Sequence, residues 1–419
     1  MQSVVHQPQS PQSGSSVQIV AMATDTSGIA AATLLLQVVD PGAYIPLNDP
    51  LYASQWTPVP MQVGADGKLS ATVPAWARGH RKLVRYRIVV TDKAGATVTV
   101  PYSDDPQPNF AYYIYDAQPS WFAAIKPGAA GEIGRVRRYD FPTMRQVPTY
   151  QLLARQSDVA DSQHIPNATA PAYWGDDYPW RGTLVYNGVV YDHIGFRARG
   201  GEFRYAVGKN NWKFNFLRGH GFRPLDNWGR PYGEPWDKMN FSSVMQHAGR
   251  RVRGEQGLFE SLSYRLFNLF GVPTSHTHFV HFRIVAAPEE VTPNWQYGGD
   301  FWGLYLAIEE MDGNFLAEHD QPDGNLYEMK AGWGDLDNQG EGMVSDYSDL
   351  RQFMDGYRNG AAPEWWNANF DLQGYFSYRA ILEAVHDYDV DQGKNYNFFH
   401  NPSTGRWSIF PWDLDLTWS

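Results

Sequence analysis

Across 419 residues the chain has no cysteine. Disulfides, thiolate metal sites and cysteine nucleophiles are therefore all excluded, and packed cores alone must hold the fold. The length exceeds what one hydrophobic core usually serves, so two or more domains are expected. Core material is abundant: 16 Trp, 25 Tyr and 22 Phe give 15% aromatic residues beside 19% charged ones, unlike a disordered chain. The net charge is −11 with no long basic run, which argues against phosphate-backbone binding and so against a nucleic-acid partner. No run approaches the roughly 18 apolar residues that a membrane-crossing helix needs, so no membrane span is expected. The opening stretch, MQSVVHQPQSPQSGSS, lacks the apolar centre of a signal peptide.

Residues 1–16, rich in Gln, Ser and Pro, read as a disordered tail. From Val17 the text changes to short alternating runs, VQIVAMAT, AATLLLQVV, LSATVPA, LVRYRIVVTD and ATVTVPY, divided by turn-forming Gly and Asp clusters. This spacing predicts an all-β sandwich over residues 17–116, and TDKAGATVTV is similar to the last hairpin of bacterial immunoglobulin-like or fibronectin-like modules. Residues 117–145 read as a linker bearing Gly, Pro and Arg, and residues 146–419 mix strands with helices as an α+β domain. Apolar residues three and four apart predict helices over 255–270, 347–359 and 372–385. Strands are expected over 183–190, 193–199, 211–217, 277–285 and 302–308.

Most of the chemistry lies in AVHDYDVDQGKNYNFFHNPSTGRWSIFPWDLDLTWS, residues 384–419. Asn395–His400 and Arg406–Phe410 read as strands joined by a turn, and such a hairpin should bring Asn395 close to Asp413. Asp387, eight residues before Asn395 at the end of a helix, can reach the same place. Asp, Asn, hairpin, Asp is the order of base and two metal ligands in protein-kinase phosphoryl transfer. Hard oxygen ligands suit Mg²⁺. Asp413 and Asp415 flank Leu414 in an apolar, Trp-rich run, whereas Asp387, Asp389 and Asp391 also fit a solvated loop. An EF-hand reading fails, because Gln392 stands where glycine is required and Phe398 where a bidentate Glu belongs; a calcium site of another kind stays open.

A second constellation, IGFRARGGEFRYAVGKNNWKFNF over residues 194–216, holds Arg197, Arg199, Gly200-Gly201 and Gly208-Lys209 ahead of an aromatic strand. It is not a Walker A loop, since Lys209 is followed by Asn210. Small residues between two strands, with cations on the second, suit a flap over phosphates. Period two puts Trp212, Phe214 and Phe216 on one face and Lys213 on the other, a pattern that a solvated lysine also satisfies. A kinase-like site wants a helix carboxylate to hold that lysine, and Glu260 in GLFESLSYRLFNLFGVP is the candidate. An ordinary surface Glu paired with Arg at helical spacing fits Glu260 equally.

At these residues the chain resembles the CotH kinase family, atypical protein-kinase-like enzymes of the spore-coat protein H type. The likeness rests on Phe196-Arg197-Ala198-Arg199-Gly200, Lys209 with Lys213, and Leu266 to Pro273. It continues through Gly303-Leu304-Tyr305-Leu306, Glu309-Glu310-Met311-Asp312 and Asn325-Leu326-Tyr327. It closes with Asp387, Lys394-Asn395-Tyr396 and Pro411-Trp412-Asp413-Leu414-Asp415. The resemblance implies a two-lobed kinase-like α+β domain that transfers phosphate from ATP, with Mg²⁺, to Ser or Thr of a protein partner, in the cell envelope or outside the cell. It further implies that Asp387 is the catalytic base and that Asn395, Asp413 and Asp415 hold the metal. Lys213, or alternatively Lys209, would meet the phosphates, Arg199-Gly200 would cover them, and Glu309 would sit in the lobe link near adenine. Gly201-Glu202 stand where the family usually has Asn-Ser, and the chain ends at Ser419, where the family commonly continues. Both departures leave room for a second expectation, a non-catalytic structural or surface-interaction protein, carbohydrate-associated through its many aromatic rings.

Overall fold

The structure is a computed structural model that describes residues 2–124, 136–163, 178–200, 209–244, 256–288, 299–387, 389–390 and 393–418. It is mixed α and β, rich in strands that form several sheets, with few helices among the described residues. Gly201-Glu202, Asp391 and Gln392 lie outside that description, as does the middle of the expected linker.

The first nine strands are β1 (Gln2–Gln7), β2 (Gln18–Met22), β3 (Ile29–Val39), β4 (Thr57–Pro60), β5 (Gln62–Val63), β6 (Lys68–Thr72), β7 (Leu83–Asp92), β8 (Thr97–Val100) and β9 (Phe110–Tyr113). They make two antiparallel sheets, ordered β1-β2-β6-β5 and β4-β3-β7-β8, with β9 paired to β7. Alternation along the strands drives the packing. Ile19 and Ala21, Leu34 and Leu36, Leu69 and Ala71, and Tyr86, Ile88 and Val90 all point into one apolar core. The expected tail is thus partly a strand: β1 pairs with β2 through Val5 and Val20, and Val4 packs on the core. Its Gln and Ser content hid two β-branched residues able to cover an open sheet edge.

Next come β10 (Trp121–Ala124), β11 (Val136–Tyr139), β12 (Thr149–Leu153), β13 (Trp180–Tyr186), β14 (Val189–Arg199), β15 (Asn211–Asn215), β16 (Lys238–Ser242), β17 (Thr277–Val285) and β18 (Phe301–Glu309). The strand order β12-β13-β14-β15-β16-β18-β17 closes a barrel. Asn187-Gly188 turns β13 into β14 with φ of 50° and 75°, the positive pair that a two-residue hairpin turn requires. The last strands are β19 (Asn325–Lys330), β20 (Trp333–Asn338), β21 (Tyr396–His400) and β22 (Trp407–Pro411), in a sheet ordered β20-β19-β21-β22. Three longer helices accompany them: α1 (Gln256–Leu269), α2 (Ser348–Arg358) and α3 (Leu372–Ala384). Asp371 caps α3 by accepting from the Gly374 amide.

The chain divides into two compact units, one of residues 1–198, 214–220 and 280–304, the other of 199–213, 221–279 and 305–419. Inside the first unit, sandwich and barrel residues share a core. Val39, Tyr52, Leu83 and Tyr113 pack there with Leu153, Val185, Val190 and Val285. The same unit buries an ion pair in which Asp192 accepts from Arg85 Nε at 2.7 Å and Nη2 at 3.0 Å. Thr183 Oγ1 (2.6 Å), Asn109 Nδ2 (3.1 Å), the His193 amide (2.9 Å) and the Tyr44 hydroxyl (3.4 Å) also donate to it. In the second unit, Tyr264 and Phe267 of α1, Leu306 and Ile308 of β18, and Tyr378, Ile381 and Leu382 of α3 form one core with Phe399, Phe410 and Leu414.

Candidate active site

Every sequence-predicted site residue belongs to the second unit. β21 and β22 pair from Tyr396↔Pro411 to His400↔Trp407, so the hairpin's open end places Trp412 beside Asn395, whose carbonyl accepts from the Trp412 amide at 3.1 Å. Asn395 (φ 62°) and Asp413 (φ 55°) both adopt left-handed backbone. Asp387 follows α3 directly, its amide donating to the Leu382 carbonyl at 3.2 Å. That carboxyl is buried; Oδ1 accepts from the Asp389 amide at 3.1 Å, and Oδ2 has no hydrogen-bond partner among the described residues. Asp389 in turn holds Lys394 Nζ at 2.8 Å and Asn395 Nδ2 at 2.8 Å.

Asp413 opens a short turn over Leu414–Leu416, and Arg199 Nη2 lies 4.0 Å from its Oδ1 with the guanidinium 5.4 Å from the Trp412 ring centre. Glu260, on α1, is buried in the same electrostatic neighbourhood. Burial pushes its carboxyl up to about 7; Ser242 and Arg199 pull down while Asp413 pushes further up. Asp415 is driven well above the carboxylate range by burial, then by Asp413 and Glu260. Burial also lifts Asp387 to about 6, with the charges of Asp389 and Asp413 adding to the rise and the Asp389 amide opposing it. These carboxyls raise one another, and the unpartnered Asp387 Oδ2 is an oxygen of the kind a hard divalent cation accepts. Of the groups expected to hold Mg²⁺, Asn395, Asp413 and Asp415, the two carboxylates do not form, with Asp387 or any other described carboxylate or imidazole, a group of three whose ligand atoms all lie within 4.8 Å of one another.

The lysines are placed differently from expectation. Trp212 and Phe214 are buried and Lys213 faces the other way, but its Nζ pairs with Glu310 Oε1 at 2.5 Å and not with Glu260. Glu310 also accepts from Asn240. Glu260 instead shares its surroundings with Arg199, so the helix carboxylate and the cation nearest Asp413 are Glu260 and Arg199. Lys209 donates to the Ser243 carbonyl at 2.8 Å and lies 4.4 Å from the Tyr305 ring centre; burial pushes its ammonium down to about 7. Gly200, at φ 100°, follows β14 in a conformation open to glycine. Glu309 ends β18 with its amide bonded to the His276 carbonyl at 3.0 Å, so that N–H is engaged and does not offer itself to an adenine ring. Glu310 and Asp389 went unread as partners. The adjacent acidic pair 309–310 and the alternating aspartates were the signals for them.

Carboxyls beyond a helix end, beside a hairpin and in the turn that follows it thus act on one another electrostatically in the second unit. The family model described as CotH kinase protein matches residues 197–419, more than half of the chain and the whole of this site, and the chain belongs to that family. A search of curated proteins gave no match. Among solved structures, the chain is similar to a cycloalternan-degrading enzyme from Trueperella pyogenes at 9% identity, TM-score 0.18, over 73% of this chain and 32% of the other. The same enzyme in complex with cycloalternan aligns at 10% identity, TM-score 0.18, with the same coverage. The chain thus spans about a third of the length of these structures.

Proposed function

We propose that the second unit is a two-lobed, kinase-like phosphotransferase that uses ATP and Mg²⁺ to phosphorylate Ser or Thr of a protein partner. The observation that carries the reading is Asp387: a buried carboxyl with one oxygen unpartnered, lifted to about 6, beside Asp389 and Asp413. A group so tuned is suited to take the proton of an acceptor hydroxyl near neutral pH. Asn395, Asp413 and Asp415 would hold the cation, which would neutralise charge on the phosphoryl group that the nucleotide supplies. Arg199, steered by Glu260 and Asp413, faces the phosphates, and Gly200 lets the backbone approach them. Lys213 is kept in place by Glu310 as the second cation, and Lys209 competes for that role. Asp387 and the bound groups act chiefly through positioning and electrostatics.

The test is phosphate incorporation by the full chain into itself and into a generic Ser/Thr-rich protein, alongside calorimetric titration with Mg²⁺-ATP. Heat of binding together with transfer supports the proposal; neither signal refutes it. One observation favours the non-catalytic, carbohydrate-associated reading: a cavity of about 560 Å³ lined by Phe353, Tyr357, Trp366, Phe370 and Tyr375 could stack sugars. Retention of the full chain on polysaccharide without nucleotide binding would select that reading.

A further inference from the structure

Apart from the carboxylate cluster, the second unit contains a group of a different chemical kind. His276 precedes β17, Glu309 ends β18, and His319 follows a short helix over Gly313–Glu318. Each offers one ligand atom, and these atoms all lie within 4.8 Å of one another. Glu309 is 2% exposed. Its Oε2 accepts from the His276 amide at 2.9 Å and lies 3.5 Å from His319 Nε2, while Oε1 has no hydrogen-bond partner among the described residues. A buried carboxylate oxygen left without a partner is costly unless something else meets it.

We propose that His276, Glu309 and His319 bind a divalent transition-metal ion of the Zn²⁺ class, separate from the Mg²⁺ ligands. Two imidazoles and one carboxylate are a nitrogen-rich set that selects Zn²⁺, Co²⁺ or Fe²⁺ over Mg²⁺, which prefers oxygen alone. The rings are already oriented. His276 and His319 stack with centres 4.7 Å apart and planes at 20°, and Tyr232 stacks on His276 at 4.9 Å. His319 is fixed from below by its amide bond to the Phe315 carbonyl at 3.1 Å and by ring contact with Phe315 at 4.4 Å. His276 is the more exposed of the two rings and so the freer to close on an ion at the roughly 2.0–2.2 Å bonds of zinc.

An outer shell and an entry path are also present. Glu318 Oε1 lies 3.6 Å from His276 Nε2, and its Oε2 is held by the Glu234 amide at 2.7 Å. His276 and Glu318 both line a cavity of about 390 Å³ through which an ion can reach the site. Three protein ligands leave a further coordination position, as in sites where zinc binds water or a substrate atom. The ion would tie the segment before β17, at residue 276, to the β18 end and the helix that follows it, at residues 309 and 319.

The experiment strips the full chain with a chelator and titrates it with Co²⁺, read by visible d–d absorption, and with Zn²⁺, read by displacement of that band and by thermal melting. One equivalent of Co²⁺ is expected to give a band that Zn²⁺ removes and saturating Mg²⁺ does not. Glu309→Gln keeps the side chain's shape and its bond to the His276 amide, and His319→Ala removes one ring. Each should weaken Co²⁺ binding by roughly a hundredfold or more, beyond what loss of an outer-shell partner costs. Asp413→Ala should leave the band intact. No band in the wild type, a band displaced by Mg²⁺, a band that survives both ligand variants, or one lost in Asp413→Ala would each overturn the assignment. None of these readouts depends on phosphoryl transfer.

Discussion

Each unit buries carboxylates, and Asp192 in the first and the Glu260, Asp387 and Asp415 group in the second solve the resulting problem in opposite ways. In the first, Asp192 is fully enclosed; burial alone would raise its pKa, yet Arg85, His193 and the Thr183 hydroxyl hold it well below the usual range. Arg85 is itself satisfied by Gln37 Oε1 at 2.9 Å and the Ile45 carbonyl at 2.8 Å. In the second, Glu260, Asp387 and Asp415 are all raised, with Arg199 as the opposing cation of Glu260 and Asp415 and Lys394 that of Asp387. A carboxylate given its full complement of donors belongs to the architecture. Carboxylates left to repel one another are set for something that arrives later.

That contrast can be broken most sharply at the raised group assigned to chemistry. Asp387→Asn should lower phosphoryl transfer on the order of 10²–10⁴-fold while sparing the heat of Mg²⁺-ATP binding, whereas Asp413→Ala should remove the heat. Normal transfer in both variants would dissolve the distinction between the clusters. On the architectural side, Arg85→Ala strands Asp192 in the interior and should cost about 3–5 kcal/mol in denaturant unfolding. A loss under 1 kcal/mol would mean that the pair is dispensable.

The sign reverses for Glu260. Its carboxyl rises from 4.5 to about 7 on folding, so the folded chain holds the proton more tightly, and stability falls as pH climbs from about 4.5 to about 7. Glu260→Gln should therefore stabilise the cation-free protein by about 2–3 kcal/mol above pH 7 and by nothing near pH 4.5. Melting curves across that range decide the point, and a destabilised variant at pH 8 would place Glu260 with the satisfied groups. Smallest is Thr183→Val, which removes one donor from Asp192 and should cost about 1.5–2 kcal/mol at neutral pH, the range for hydrogen bonds to charged groups. Unchanged unfolding would show that the remaining donors, Arg85 among them, suffice.

What could be read from the sequence follows the range of the interactions involved. The β21–β22 hairpin was legible because alternation and an Asn-Pro-Ser-Thr-Gly turn specify it locally, and with it the meeting of Asn395 and the Trp412–Asp413 step. Helix α3 was legible from its apolar spacing. Partner choice was not. Lys213 finds Glu310 and Arg199 approaches Asp413 through strand order and turns that bring together residues up to 214 positions apart, for which no local pattern exists. The zinc-type group was invisible for the same reason: His276 and His319 sit in unremarkable text and converge only through Glu309. Strand β1 was missed because an edge strand needs just two or three apolar residues.

The left-handed backbone at Asn395 and Asp413 restricts what evolution can place there before any ligand is considered. Asn and Asp tolerate that region better than other side chains bearing a β-carbon, and a branched residue would be strained on steric grounds alone. Persistence of these two letters in related chains would consequently be a weak witness to metal binding, since a lineage that had lost its chemistry would still be steered toward the same small alphabet. Asp387 and Asp415 do not share this geometric restriction. Their retention or replacement is the better record of whether a given descendant still works as an enzyme.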